Sequence, residues 1–430
     1  VVVNSLSWDR GGTVTLPWQA GLEGRGIWTE DGDRLLCSIV EYGGKKQLEI
    51  KVPEIPALGY RTFAVRPEDG SEASPQAGVT VSGRVIESKY YRITFNEQGQ
   101  IASLYDKEAE REVVPAGCLA NELQAFEDRP MNFDCWDIDL YYQEKQYPVD
   151  ELTRWEVLED GPERAVLALE WKYLDSTIRQ RIFVYSDRRG IDFATEVDWH
   201  EHSILLKAAF PVAVRNTKAT YEIQFGNVER PTHYNTSWDW AKFETVAHKW
   251  VDLSERDYGV SLLNDCKYGH DIKDNVIRLT LLTSGIDPDP AADQGHHEFT
   301  YSLLPHRGDW YEGGTVQAAY ELNYPLRGIL SSRVSGSLDS AGQLLKVEGQ
   351  STILDTVKKA EDGDELVLRF YEFANRRDQV TVTFPHRLQA VRECSLMEQD
   401  DQEVDFASDR FTFTLNPYEI RTFKIRQFQP

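Results

Sequence analysis

Side chains able to do chemistry gather in four islands between residues 221 and 306: ERPTH at 229–233, TSWDW at 236–240, KYGHD at 267–271 and DQGHHEFTYSL at 293–303. Trp and Tyr offer a flat apolar face with a polar edge, which suits the mixed surface of a sugar ring. Carboxylates and imidazoles beside them can hold hydroxyl groups. The same loops would equally suit packing against a neighbouring domain, and composition leaves both readings open. An earlier turn, NFDCWDID at 132–139, sets Asp134, Asp137 and Asp139 around Trp136. Glycoside hydrolysis needs two carboxyl groups across the scissile bond. Nothing local shows which pair would be held apart at the right distance, so this turn predicts carbohydrate contact rather than a complete acid–nucleophile pair.

Other groupings are thinner. His200 and His202 flank Glu201 and would share one face of an extended chain, a spacing that can chelate zinc, but no third ligand lies nearby. Asp287, Asp289 and Asp293 could wrap a calcium ion, yet the glycine and distal glutamate of an EF-hand are lacking. His296 and His297 are adjacent, so in a strand they point opposite ways and at most one serves a given site. The chain has no Walker A loop, nucleophile elbow, zincin helix or kinase signature.

The elements that must carry these residues read as strands. Alternation recurs at 79–81, 91–95, 165–169 and 411–415, and turn signals such as EDG at 30–32, YGG at 42–44 and EDG at 361–363 punctuate it. Few windows carry a helical period. The chain of 430 residues is long enough for about three domains, and we read it as all-β: a small N-terminal sandwich at 1–68, a linker at 69–78 rich in Pro, Gly, Ser and charge, a large many-stranded sandwich at 79–335, and a small C-terminal sandwich at 336–430. A net charge of -24 repels phosphate backbones and anionic lipid surfaces, so neither nucleic acid nor a membrane is an expected partner. Five widely spaced cysteines, an odd number without a C-x-x-C pair, predict reduced thiols and a cytoplasmic location. No run of about 18 apolar residues is present to cross a bilayer. The start, VVVNSLSW, reads as a strand taken from within a longer protein.

At this point the islands together resemble a family. FGNVERPTH at 225–233, NTSWD at 235–239, AHKW at 247–250, FEDRP at 126–130, DCWDID at 134–139, DWHEH at 198–202, KYGHD at 267–271, ADQGHHEFTYS at 292–302 and NSLSW at 4–8 are similar to the C-terminal half of glycoside hydrolase family 38 α-mannosidases, in their bacterial and cytosolic branch. The resemblance spans nearly the whole chain. It implies a mutarotase-like supersandwich for the large unit, an N-terminal barrel and helical bundle as partner domains, and an α-mannoside substrate hydrolysed with retention. It also implies that the nucleophilic aspartate and the zinc ligands belong to those other domains. No residue here matches them, so no catalytic or metal residue is expected in this chain, and zinc is expected in the domains it lacks. What the resemblance leaves to this chain is to wall the site with sandwich loops. Polarity and loop position then single out Asp293, His296 and His297 first, and Arg230, His233, Asp239, Trp136 and Asp137 next. The alternatives are a free-standing carbohydrate-binding or structural module, and a mutarotase-like epimerase using His and Glu as acid and base.

Overall fold

The computed structural model describes residues 1–42, 44–68, 78–332, 336 and 338–427. They form an all-β protein of two units, Pro75–Asn323 and Val1–Ser74 with Tyr324–Pro430. No helix is long and apolar enough to cross a membrane among the described residues.

The larger unit is a sandwich built on one core. Its nine-stranded sheet runs in the spatial order Glu151–Asp160, Arg164–Tyr173, Ser176–Tyr185, Ile191–Trp199, Gly295–Arg307, Tyr258–Asn264, Trp250–Ser254, Lys218–Ile223 and Gly226–Pro231. Neighbours pair antiparallel throughout. The six-stranded sheet runs Gln146–Pro148, Glu122–Glu127, Ile204–Pro211, Val276–Thr283, Gly269–Lys273 and Thr245–Val246. Leu167, Phe193, Leu262 and Tyr301 from the first sheet and Leu123, Leu206, Phe210 and Leu279 from the second share the buried core. Ile86, Ile93 and Leu104 of a five-stranded sheet join it. Edge and centre differ as burial requires. Tyr258–Asn264 is buried at every position, whereas the edge strand Glu151–Asp160 is largely exposed and carries Glu151, Arg154, Glu156, Glu159 and Asp160, which discourage pairing with another chain. Inside the core, the Tyr301 hydroxyl donates to Asn121 Oδ1 (2.8 Å), the Asn121 amide donates to Gln180 Oε1 (2.7 Å), and the Gln180 amide donates back to Tyr301 (2.8 Å). This closed ring satisfies three polar groups that would otherwise be costly to bury.

The other unit differs from the sequence division. The expected boundary at 335/336 gives residues 326–343 partly to the large sandwich and partly to the C-terminal one. Instead they complete the N-terminal sheets: Arg327–Gly328 and Ala341–Gln343 flank Val2–Asn4 and Gly59–Arg61 in a four-stranded sheet. The reason is steric and apolar. A Cβ at Gly328 would lie 2.6 Å from the Val14 side chain, and Leu326 is buried in the same core as Val2 and Ile55. The expected linker falls outside the described residues over 69–77. A second core, with Leu368, Phe370, Phe411 and Phe423, lies between a three-stranded and a five-stranded sheet of the C-terminal part.

Asn4 ties the N-terminal part together. Its amide donates to the carbonyls of Trp8 (2.8 Å), Ile55 (3.2 Å) and Pro56 (3.1 Å), and its oxygen accepts from Leu6 N (3.0 Å) and Arg10 Nε (2.8 Å). Asn4→Ala strands these buried partners and is expected to cost about 2–4 kcal/mol; urea denaturation of the variant against the parent chain checks it.

Candidate functional site

Two polar constructions stand on the six-stranded sheet, one on its outward face and one at an edge. On the outward face, strand Ile204–Pro211 is apolar except for Lys207, which is fully buried. Alternation turns Leu206 and Ala208 to the core, so Lys207 faces the other way. Its ammonium donates to Asp271 Oδ2 (2.8 Å) and to Glu244, and lies 5.0 Å from the centre of the Tyr142 ring. Asp271 also accepts from Tyr142 Oη (3.2 Å) and Arg278 Nη1 (2.9 Å), while Arg278 Nε donates to Gln124 Oε1 (3.1 Å). Thr280 donates to Glu244. The network therefore joins four strands to two segments lying over them, the turn Leu140–Glu144 and the stretch that ends at Glu244.

Charge is balanced within this cluster. Burial opposes the Lys207 charge, but Asp271 and Glu244 outweigh it and hold the ammonium above its usual range. Asp271 is also desolvated, yet Lys207 and Arg278 keep it below the ordinary carboxylate range. Glu244 is displaced upward, because burial and the neighbouring Asp271 outweigh its share of Lys207. A proton entering the cluster thus goes to Glu244. Burial, with Asp271 next, pushes the Tyr234 phenol up to about 12. His270 lies on the core side of the same strand, and burial lowers it to about 4. Lys207, Asp271, Glu244 and Arg278 are paired with one another, an arrangement that braces rather than reacts.

The second construction is an interlock of loops at the edge where Val276–Thr283 ends. Ser203 N donates to Ser284 O (2.6 Å), Asp128 N to Ser203 O (2.8 Å), and Gln294 Nε2 to Glu201 O (2.6 Å). The Asp134 carboxylate receives Ile286 N (2.9 Å) and Asp287 N (2.8 Å). Thr283 bridges two acids: its hydroxyl donates to Asp128 Oδ2 and its amide to Asp293 Oδ2, each at 3.0 Å. Burial raises Asp128 to about 6.

The predicted site residues divide between two places. Trp136, Asp137, Asp293, His296 and His297 belong to the edge interlock. Trp136 and Asp137 are exposed on a turn whose amides both donate to Phe133 O. Asp293 serves the backbone, as above. His296 is exposed beside Glu298 (3.0 Å), whereas His297 is half-buried and its Nε2 donates to Asp293 O (2.9 Å), so the two imidazoles do diverge. Arg230, His233 and Asp239 lie elsewhere. Thr232 O accepts Asp274 N (2.7 Å) near the opposite end of Val276–Thr283, a strand about 23 Å long at its usual rise. There Arg230 covers the Tyr221 ring, 5.3 Å from its centre, and His233 Nδ1 lies 3.6 Å from Asp239 Oδ2. Asp239 itself closes a capping box with Thr236 at the start of the short helix Ser237–Trp240. One site cannot contain all eight.

The zinc spacing at 200–202 does not become a ligand set. The strand Ile191–Trp199 ends first, His200 Nε2 lies 3.2 Å from Asp198, and Glu201 accepts from Ser176 Oγ (2.8 Å) and Asp175 N (2.9 Å). Among the described residues no group of three or more His, Cys, Asp or Glu is placed to hold a metal ion. The residues that sequence reasoning passed over are Lys207, Glu244, Arg278 and Asp128. Lys207 carried a signal, a lone cation inside an apolar strand, which must be paired when buried.

Profiles of two segments of known proteins match this chain: the glycosyl hydrolases family 38 C-terminal domain over residues 86–291, and the family 38 C-terminal beta sandwich domain over residues 351–423. Alpha-mannosidase 2C1 of Homo sapiens is 34% identical over 429 residues, covering 98% of this chain and 39% of that protein. Alpha-mannosidase G of Dictyostelium discoideum is 38% identical over 353 residues, covering 79% of this chain and 32% of that protein. The chain thus spans well under half the length of these relatives. The crystal structure of an alpha-mannosidase from Enterococcus faecalis V583 superposes with a TM-score of 0.78 at 14% identity, covering 99% of this chain and 55% of that one, which shows a shared fold.

Two outcomes test the energetics. Lys207→Met leaves Asp271 and Glu244 facing each other without their shared cation and is expected to cost about 3–5 kcal/mol in urea denaturation. The second concerns pH. Asp128, raised when folded, contributes stability that is full below its unfolded value near 3.8 and is lost as pH rises through about 6. His270, depressed when folded, contributes stability that is full above its ordinary 6.5 and is lost as pH falls toward about 4. The two slopes oppose each other, so Asp128→Asn is expected to steepen the rise of stability between pH 4 and 6, measured by denaturation at successive pH values.

Proposed function

The chain belongs to glycoside hydrolase family 38, as part of that family's C-terminal region, and we propose that it is the β portion of a retaining α-mannosidase. In this reading it supports and partly walls a sugar site whose bond-breaking groups lie in other domains of a longer polypeptide. The single observation that carries it is the continuous likeness to an α-mannosidase over 98% of the chain, against 39% of that relative. The remainder of such a protein, the barrel and helical domains that the resemblance implies, is the proposed partner, and an α-mannoside is the proposed substrate.

The chemistry here supports a bracing role. Hydrolysis with retention needs a carboxylate nucleophile and a carboxylic acid about 5–5.5 Å apart across the glycosidic oxygen. The acids of the two polar constructions have other duties: Asp271 and Glu244 hold Lys207, and Asp134 and Asp293 hold backbone amides. The chain's own share is positional. Its edge interlock presents Trp136, Asp137 and His296 to solvent from a rigid base, and these can bind and orient sugar hydroxyls. Zinc, when bound in the other domains, would hold sugar hydroxyls there; no step is assigned to it in this chain. Five free thiols support a reducing compartment, so a cytoplasmic location is part of the same proposal.

The test is hydrolysis of an aryl α-mannoside with added zinc. The 430-residue chain alone is expected to show no turnover, and the longer polypeptide to show it. Turnover by the isolated chain that survives repurification would overturn the division of labour.

A further inference from the structure

The turn Phe133–Asp137 shows two features that rarely coincide. It exposes large aromatic surface: Trp136 is 73% exposed and Phe133 57%, with their ring centres 5.5 Å apart and the planes inclined by 37°. It is also held firmly from below. Both Asp134 carboxylate oxygens accept backbone amides of the 286–287 segment, and Cys135 N donates to Asp287 O (3.3 Å). Gly285 lets the two segments meet; a Cβ there would lie 2.7 Å from Asp134 and Cys135 backbone atoms. Exposed apolar side chains on a loose loop need no explanation, but an apolar pair displayed on a fixed base marks a recognition surface. Its surroundings decide the kind. Asp137, Asp287 and Asp289 are exposed on the two joined segments. An acidic rim repels another acidic protein face, including a second copy of this chain with its net charge of -24, yet it accepts hydrogen bonds from hydroxyl groups.

We propose that the Trp136–Phe133 pair is a pyranose-binding platform, which stacks the apolar C–H face of one hexose unit of an oligosaccharide while the neighbouring carboxylates accept its hydroxyls. This rests on the α-mannosidase reading and extends it, because it gives the chain a sugar contact that works without the bond-breaking groups. The platform is pre-formed, so little ordering cost accompanies binding.

The isolated chain is titrated with methyl α-mannopyranoside and an α-linked mannobiose, followed by saturation-transfer NMR. Binding at millimolar concentration is expected, with the strongest transfer to the ring C–H protons. Trp136→Ala is expected to weaken it about tenfold with an unchanged unfolding midpoint, since the side chain is exposed. Asp134→Ala, which frees the turn while keeping both rings, is expected to weaken it as well. Absence of binding by the parent chain, or equal binding by Trp136→Ala, would overturn the platform. So would a dimer that Trp136→Ala dissociates, or oxidative footprinting of the longer polypeptide in which Trp136 is shielded without sugar. The aryl α-mannoside assay is independent: turnover by the longer polypeptide alone, without sugar binding by this chain, sinks the platform and leaves the α-mannosidase reading standing.

Discussion

A fully buried ammonium shared by two carboxylates sets the terms for the larger unit. Lys207 sits on the second of four consecutive strands, and its partners Glu244 and Asp271 are 37 and 64 residues away in the chain. An ion pair in such a place adds little net stability over apolar packing, since desolvation of each ion consumes most of the attraction. What it adds is geometry. Lys207 bonds well only when the turn bearing Tyr142 and the segment bearing Glu244 both lie in one position over the sheet, and Arg278 fixes Asp271 from the other side. An apolar cluster would tolerate sliding; directional, charge-assisted hydrogen bonds do not.

The edge interlock works mainly through backbone groups. Backbone amides of residues 283, 286 and 287 end on carboxylates of Asp293 and Asp134, and carbonyls of Glu201, Ser203 and Ser284 take donors from neighbouring loops. Loop groups that would otherwise need water are paired with each other, so the surface loops gain the rigidity of the sheet beneath. In the proposed role, a domain that walls a site needs this property, because a binding group misplaced by an ångström loses its value.

Much of the strand pattern was legible. The alternating FTFTL lies in the strand Arg410–Leu415, buried at every second residue, and the alternation at 91–95 lies in the strand Tyr91–Phe95, whose first, third and fifth residues are buried. Short pairings were not legible. Arg327–Gly328 and Ala341–Gln343 are too brief to show a period, and their places beside Val2–Asn4 and Gly59–Arg61 depend on partners far away in the chain, as in Val2 with Gly328 and Arg61 with Ala341. The candidate residues fall in two places. Polar-aromatic composition picked loops at both, but Asp293 and His297 bond their own backbone surroundings, and Arg230, His233 and Asp239 stand at the far end of a strand from Trp136.

What the sequence determined by itself is therefore local: strand positions, apolar faces, the turns between them, and the family likeness that many ordered islands carry. Alternation and turn chemistry act over a few residues, so a linear reading recovers them. What the tertiary structure decided is which charges meet. Asp134 reaches Ile286 across 152 residues, and Gln124 reaches Arg278 across 154. Such partners follow from strand order and register, and these are set by the core as a whole. Whether a given aspartate faces a sugar or an amide is a property of that assembly, and one residue's neighbours in sequence do not carry it.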